Sequence, residues 1–182
     1  MIDLANAPGA GQAWDAPVWK VYAWSAAELL LVNNPWQISS RVRRAVLVAF
    51  GAQIGVGVVL RPRLRVRFPW KLVIGDRSWI GEDVWLHNQA QLTIGSDAAI
   101  SQGTFITTGS HAHRRDMALI TSPVVIEDGA WITARCIILG GSRIGSSAVV
   151  APGTVVRGEV PPGVVFGQPP GSVLGQRFPQ PG

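Results

Sequence analysis

Three histidines are the side chains of this sequence best suited to moving a proton at neutral pH. They are His87, His111 and His113, and the last two lie two residues apart in the segment 108–113. An unperturbed imidazole has a pKa of about 6.5, so it can take a proton from a hydroxyl group and later release it. The sequence therefore predicts general-base chemistry at one of these three residues.

The composition favours an all-β body with many turns. The chain has 182 residues, of which 47% are apolar and 15% charged, with 21 Gly and 13 Pro. This length corresponds to one domain, and Val, Ile and Thr dominate its later part, where few helix formers occur. The only cysteine, Cys136, excludes an internal disulfide framework and a cysteine-based zinc site.

An aliphatic residue recurs every six positions over much of the chain. The longest run is Ile126, Ile132, Ile138, Ile144, Val150 and Val156, and shorter runs are Ile94, Ile100, Ile106; Ile74, Ile80, Leu86; and Ile54, Leu60, Val66. A period of six fits neither a helix nor a flat strand, but it suits a short strand followed by a turn. Three such units form a triangular coil of about 18 residues, and stacked coils bury one another's aliphatic columns. The pattern predicts a β-prism over residues 48–160, between a helical and aromatic segment at 1–47 and a Pro- and Gly-rich tail at 161–182.

The period is interrupted at three places. The steps 66–74 and 86–94 each take eight residues instead of six. The step 106–126 takes twenty, two more than one coil, and it contains His111 and His113. Segments that leave a rigid scaffold are where binding and catalytic groups usually lie, so these interruptions are the candidate site.

The repeat resembles the hexapeptide-repeat, left-handed β-helix acyltransferases over roughly residues 48–160. The segments Phe50–Gly55, Phe68–Leu72, Trp79–Glu82, Ile100–Gly103 and Thr108–His111 together resemble the colanic-acid-type acetyltransferases of exopolysaccharide biosynthesis. The resemblance implies a left-handed parallel β-helix and an O-acetyltransferase that uses acetyl-CoA, with no metal. It also implies a sugar or lipid-linked sugar as acceptor, and a homotrimer with its sites between two prisms.

The resemblance extends to individual acceptor-side residues. His111 matches the catalytic histidine of the galactoside, maltose and Nod-factor acetyltransferases, with His113 as the second candidate on the substrate side. Asn88 lies where that family has an asparagine that contacts the acceptor sugar, although it could also satisfy its own turn. Trp131 matches a tryptophan that borders the active-site groove. Trp79 and Trp85 occupy the same place in their repeats. Outward aromatics of this kind stack on a ligand or mark an interface between subunits, and for these two we favour the interface.

For coenzyme A, the resemblance points to Ala134, Pro152 and Arg157. The family often has Ser or Gly in place of Ala134, and a base in the closure where this chain has residues 167–171, which leaves Arg177 as a replacement. Cys136 falls at a small, inward position of its repeat, so we expect a buried thiol and direct transfer without an acyl-enzyme.

The front of the chain is basic and aromatic. Residues 1–73 carry nine Lys or Arg against three acidic residues, which favours an anionic neighbour such as a lipid surface or a diphosphate-linked substrate; the alternative is a solvated face. Residues 17–33 and 39–50 are predicted helices that pack on the first coil, or alternatively lie at a membrane surface. Arg61, Arg63, Arg65 and Arg67 alternate, which predicts one shared strand face.

With no signal-peptide or spanning pattern, we expect a cytoplasmic protein, with the inner membrane surface as a second location, and no nucleic-acid partner.

Two other functions are compatible with a β-helix. A γ-class carbonic anhydrase needs three histidines around a metal, but the spacing of His87, His111 and His113 does not match that family. A scaffold or binding protein without activity has no need for a protruding histidine, so the segment 108–111 argues against it.

Overall fold

Two helices and a short π-helical turn precede a stack of β-coils in the computed structural model, which describes residues 4, 7, 8 and 14–168. Helix α1 covers Val18–Ala27 and runs into the π-helical turn Glu28–Val32. Helix α2 covers Ser40–Ala49, and the Ser39 side chain caps it by accepting the Val42 N–H at 3.4 Å. Both helices lie where the sequence predicts them.

Three parallel sheets form the sides of the prism. Sheet A contains β1 (Gln53–Ile54), β4 (Leu72–Ile74), β7 (Leu92–Ile94), β12 (Val124–Ile126), β15 (Arg143–Ile144) and β18 (Glu159–Val160). Sheet B contains β2 (Val59–Leu60), β5 (Trp79–Ile80), β8 (Ala99–Ile100), β13 (Trp131–Ile132), β16 (Val149–Val150) and β19 (Val165–Phe166). Sheet C contains β3 (Arg65–Val66), β6 (Trp85–His87), β9 (Phe105–Thr107), β14 (Ile137–Ile138) and β17 (Val155–Val156). Each of the first five coils visits A, B and C once, and the sixth coil has described strands in A and B only. The fold is the left-handed parallel β-helix that the sequence predicts.

The aliphatic columns fill the interior, as the six-residue period predicts. Ile80, Ile106 and Ile132 have no exposed surface, and neither do most of their equivalents. Each fully buried side chain of this size stabilises the fold by about 1.5–3 kcal/mol. Cys136 is fully buried among them, which agrees with its prediction as a core thiol.

Two of the three corners close with a backbone conformation that the residue types do not predict. At each corner joining A to B or B to C, the third residue after the inward aliphatic has a φ between 55° and 73°. These residues are Gly57, Arg63, Arg77, Asp83, Asp97, Gly103, Gly129, Arg135, Ser147, Gly153 and Gly163. The left-handed conformation turns the chain sharply enough to reach the next sheet.

The helical segment covers the open edge of the first coil. The Trp24 indole donates to the Val66 carbonyl at 2.9 Å, and the Glu28 carboxylate accepts the Val66 N–H at 2.6 Å. The fully buried Arg43 donates to the carbonyls of Val32 and Leu60. Burial raises the pKa of Glu28 above 4.5. Side chains thus replace the missing neighbouring coil at an edge that would otherwise expose unpaired backbone groups.

The stack continues beyond its expected end. The parallel pairing of Val149 with Val165 and of Val150 with Phe166 extends sheet B six residues past residue 160. Phe166 keeps the six-residue step from Val160, so part of the predicted tail is a further coil. Arg177 and most of the closure 167–171 lie outside the described residues.

Candidate active site

All three interruptions of the repeat lie at the same corner of the prism, between sheet C and sheet A. We call it the C/A corner, and its three lengthened segments are residues 67–71, 88–91 and 108–123. Because the coils stack in register, these segments lie on one another. The Ala90 N–H donates to Thr108 Oγ1 at 2.7 Å, and the Thr108 N–H donates to the His87 carbonyl at 3.3 Å. The longest segment therefore rests on the two shorter ones.

The longest segment forms an antiparallel hairpin that carries His111. Its strands are β10 (Gly109–His111) and β11 (Leu119–Thr121), with His111 opposite Leu119. At its base, a Cβ added to Gly109 would overlap the Gln89 amide oxygen, so glycine permits the close approach. His111 itself is exposed.

A hydrogen bond inside the hairpin fixes the state of the His111 ring. Nδ1 lies 2.8 Å from the Met117 carbonyl oxygen. A carbonyl can only accept, so Nδ1 carries the proton and Nε2 presents a lone pair. This bond leaves Nε2 without a partner inside the hairpin, and the sequence contained no signal for Met117 as the partner of Nδ1.

The other two histidines have different surroundings. His113 is exposed in the hairpin turn, and its backbone N–H donates a hydrogen bond to the His111 carbonyl oxygen at 2.7 Å. His87 is half-buried, with Nδ1 3.3 Å from Thr107 Oγ1 and its ring edge-on to Trp85. Burial, together with the charges of Arg67 and Arg65, lowers the pKa of His87 below 6.5.

Asn88 does not fit its predicted contact with an acceptor. Its side chain has no exposed surface. Oδ1 accepts the Phe68 N–H at 3.1 Å, while Nδ2 donates to the carbonyls of Phe68 and Lys71 at 2.7 and 3.1 Å. These bonds join segment 88–91 to segment 67–71, so Asn88 holds the two short segments of the C/A corner together. A sugar could reach the side chain only if they broke.

Trp131 lies on the opposite side of the prism from the hairpin. It points outward from the middle of sheet B, 49% exposed, and its indole N–H donates to Ser101 Oγ at 2.9 Å. In a triangular prism the C/A corner faces the back of sheet B. One chain therefore does not bring Trp131 and His111 into a common pocket.

The residues expected to bind coenzyme A fall at two corners. Ala134 and Pro152 lie at the corner between sheets B and C in successive coils, where the Gly153 N–H donates to the Ala134 carbonyl at 3.0 Å. Arg157 is exposed at the C/A corner, beyond the hairpin. The chain alone brings the first two together and leaves the third apart.

The expected arginine stripe is wrong. Strand β3 is only Arg65–Val66, too short for four arginines to share a face. Arg63 has a φ of 57° at a corner and pairs with Asp83 at 2.6 Å. Arg65 stacks over Trp85, with its guanidinium carbon 3.9 Å from the ring centre.

A metal site is not evident in the described part of the chain. No group of three His, Cys, Asp or Glu side chains there could hold an ion. The three histidines are on separate elements: His87 on β6, His111 on β10 and His113 in the hairpin turn.

Comparisons with known proteins agree with this fold. The family model "Bacterial transferase hexapeptide (six repeats)" matches residues 123–158. WcaF of Escherichia coli (strain K12), named for an acetyltransferase of colanic acid biosynthesis, is 35% identical over 159 residues, 87% of each chain. The chain belongs to the hexapeptide-repeat acetyltransferases.

Two further relatives cover most of the chain. The galactoside O-acetyltransferase of Lactococcus lactis subsp. lactis (strain IL1403) is 25% identical over 85% of this chain and 78% of its own. The crystal structure of the hexapeptide-repeat acetyltransferase VCA0836 from Vibrio cholerae O1 biovar eltor, complexed with acetyl-CoA, superposes with a TM-score of 0.74. It is 26% identical and covers 88% of both chains.

Proposed function

We propose that this acetyl-CoA-dependent acetyltransferase acetylates a sugar hydroxyl in exopolysaccharide or cell-surface glycan biosynthesis, with His111 as general base. Membership of the family supports the acetyl transfer and the donor. A sugar acceptor is supported by the relatives named for colanic acid biosynthesis and for galactoside acetylation. The observation that carries the proposal is the bond from His111 Nδ1 to the Met117 carbonyl, which leaves Nε2 free to take a proton.

His111 would serve as base and then as acid. Nε2 takes the proton of the acceptor hydroxyl as its oxygen attacks the thioester carbonyl carbon. When the carbon–sulfur bond breaks, the imidazolium returns the proton to the leaving thiolate, so the products are the acetyl ester and free coenzyme A. The Met117 carbonyl keeps Nδ1 hydrogen-bonded and so holds the ring in position through both steps, as the acceptor on Nδ1 does in other histidine bases. The buried Cys136 has no part in this route.

We infer that the enzyme is a homotrimer whose sites lie between two copies. His111 and Trp131 are on opposite sides of one prism, so they can meet only across an interface. The outward residues of sheets B and C are mainly apolar, and Ile137, Val155 and Val165 remain 37–78% exposed in the single chain. Light scattering should give three times the chain mass of 19.4 kDa. A monomer that still turns over substrate would exclude the shared site.

We also infer a peripheral contact with an anionic membrane, where a lipid-linked acceptor would be found. Trp19, Tyr22, Leu30, Trp36 and Ile38 are all more than 60% exposed around the helical segment. Arg41 is exposed next to them, and an aromatic and basic surface of this kind suits the lipid interface. No helix within residues 14–168 is long and apolar enough to cross a membrane.

The membrane contact can be tested with vesicles. The protein should sediment with vesicles containing phosphatidylglycerol and not with pure phosphatidylcholine, and salt should weaken the binding because it screens Arg41. Trp36→Ser combined with Ile38→Ser should reduce the bound fraction at every salt concentration. Equal binding by the variant would exclude this surface.

The transferase reaction is tested by acetyl-CoA-dependent thiol release against a panel of sugars and nucleotide sugars. The wild-type protein should release thiol with at least one sugar, and His111→Asn should abolish release while still binding acetyl-CoA in calorimetry. Asparagine keeps a polar side chain but cannot accept the proton at neutral pH. Full activity of His111→Asn would exclude the proposed base.

A further inference from the structure

A groove of about 780 Å³ runs along the outer surface of sheet B, separate from the C/A corner. Its lining includes the indoles of Trp79 and Trp131, with Ala99 between them. Polar side chains of the adjoining corner, Ser101 and Gln102, complete the lining on one side. A volume of this size is typical of small-molecule sites, which combine aromatic walls with a few polar groups.

The register of sheet B fixes how the two indoles are spaced. Trp79 pairs with Ala99, and Ala99 pairs with Trp131, so the two tryptophans are two rungs apart in one outward column. Adjacent strands lie about 4.7–4.9 Å apart, which separates the two backbones by roughly 9–10 Å. Ala99 between them carries only a methyl group, so one groove continues past the middle rung from Trp79 to Trp131, and we call this space the gap.

The two indoles are available to a ligand. Trp79 is 61% exposed and Trp131 is 49% exposed. The hydrogen bond from the Trp131 indole to Ser101 Oγ holds that ring over the neighbouring coil that carries Ala99. An aromatic side chain fixed in this way loses little conformational freedom when a ligand stacks on it.

Hydrogen-bonding groups lie along one side of the gap. Gln102 and Glu82 are exposed there, and the Glu82 carboxylate is 3.0 Å from Arg63. These groups offer an amide and carboxylate oxygens to hydroxyl donors. Apolar walls with hydrogen-bonding groups at one edge match a pyranose, whose C–H faces are apolar and whose rim carries hydroxyls.

We propose that this groove binds a pyranose ring of the acceptor, stacked between Trp79 and Trp131. The inference rests on the proposed function, and it makes Trp79 an acceptor-binding residue. Because the groove lies on the opposite side of the prism from the C/A corner, the His111 that acts on this sugar belongs to a neighbouring copy. The expectation of a subunit contact at Trp79 is thereby replaced by a ligand contact.

The test measures sugar binding directly. The probes are the methyl glycosides of glucose, galactose and fucose, each added without acetyl-CoA and followed by saturation-transfer NMR. At least one should receive saturation from the wild-type protein, and Trp79→Ala should weaken its binding about three- to tenfold, the range for one aromatic contact. Ala99→Phe, which fills the gap, should abolish the signal. Val149→Ala, in the same outward column but outside the groove, is the matched control.

Three further readouts separate the possible outcomes. Trp79→Ala should raise the KM for the sugar with little change in kcat, and it should change neither the Kd for acetyl-CoA nor the mass in light scattering. Loss of the trimer would make the groove a subunit interface, and weaker acetyl-CoA binding would assign it to the donor; either result overturns the proposal. No saturation transfer to any glycoside also overturns it. Saturation transfer without thiol release overturns the proposed function and leaves the sugar site standing.

Discussion

The A/B and B/C corners, which we call the regular corners, differ from the C/A corner in how the chain passes from one sheet to the next. At the A/B and B/C corners the chain turns in the space of one repeat, through a residue with positive φ. The C/A corner of each of the first three coils contains extra residues. In the third coil these residues form the hairpin that carries His111. A regular corner has no residues beyond those that make the turn, so it does not extend a segment away from the prism. Lengthening one corner thus adds exposed side chains to the scaffold and leaves the other two corners unchanged.

The two kinds of corner are also held by different interactions. Regular corners stack identical turns, and exposed ion pairs such as Arg63–Asp83 and Arg77–Asp97 join successive coils. Such surface pairs contribute little stability. The C/A corner relies on buried side-chain bonds, with Asn88 and Thr108 each binding the backbone of a neighbouring segment. We therefore expect changes in the aliphatic columns to affect folding, and changes at the C/A corner to affect catalysis.

The largest effect is expected for Ile94→Asp. Ile94 is 1% exposed inside the stack, so the carboxylate would be buried without a partner. The free energy of unfolding should fall by about 4 kcal/mol or more, enough to prevent folding in many domains. The matched control is Thr93→Asp on the outward side of the same strand, which should retain the fold. Circular dichroism and urea titration distinguish them, and equal stability of the two variants would contradict the interior column.

His111→Ala should have the largest effect on rate without unfolding the protein. Loss of a general base typically lowers kcat by about 10²–10⁴-fold. The exposed hairpin contributes little to the core, so the melting temperature and the Kd for acetyl-CoA should persist. His113→Ala is the control and should cost far less. If His113→Ala were the inactive variant, the base would lie two residues further along the hairpin.

The columns could be predicted from the sequence because each inward position must be apolar. That rule placed Ile132 inside, Trp131 outside and Cys136 in the core, as observed. It failed for the arginines, because alternation implies a shared face only within a strand, and β3 has two residues. The last coil was missed because Pro161-Pro162-Gly163 obscures the step from Val160 to Phe166.

The positive φ angles at the corners could not be predicted from the residue types. The positive-φ positions hold Arg, Asp and Ser as well as Gly, so composition does not mark them. The bond from His111 to Met117 depends on antiparallel pairing within the hairpin, which departs from the period. The contact from Glu28 to Val66 joins residues 38 apart in the chain. Each of these depends on tertiary packing, which a local pattern does not encode.

Gly109→Ala tests how tightly the hairpin rests on the segment below it. The new Cβ would overlap the Gln89 side chain, which is only 8% exposed, so the hairpin or Gln89 must shift. We expect a loss of about 1–3 kcal/mol in the free energy of unfolding, as for other overpacked sites, and a severalfold lower kcat because His111 moves. Adding Gln89→Ala should restore much of both, with a coupling energy of about 0.5–3 kcal/mol. Additive effects in the double-mutant cycle would mean that the two residues do not touch.

The smallest effect concerns stability at mildly acidic pH, to which we expect His87, on β6 next to the C/A corner, to contribute. The folded state holds the pKa of His87 below its unfolded value of about 6.5, chiefly through burial. Between these two pKa values the unfolded chain binds more protons, so the contribution of His87 to stability is present above pH 6.5 and is lost as the pH falls through this window.

His87→Phe and His87→Gln, which cannot take the proton, should both unfold with a weaker pH dependence below 6.5 than the wild-type protein. Phenylalanine keeps a ring beside Trp85 and glutamine keeps a hydrogen bond to Thr107, so a flatter curve in both variants assigns the effect to the charge. Urea unfolding at several pH values from 7.5 downwards measures the slopes, and parallel curves for all three proteins would assign the acid sensitivity to another group.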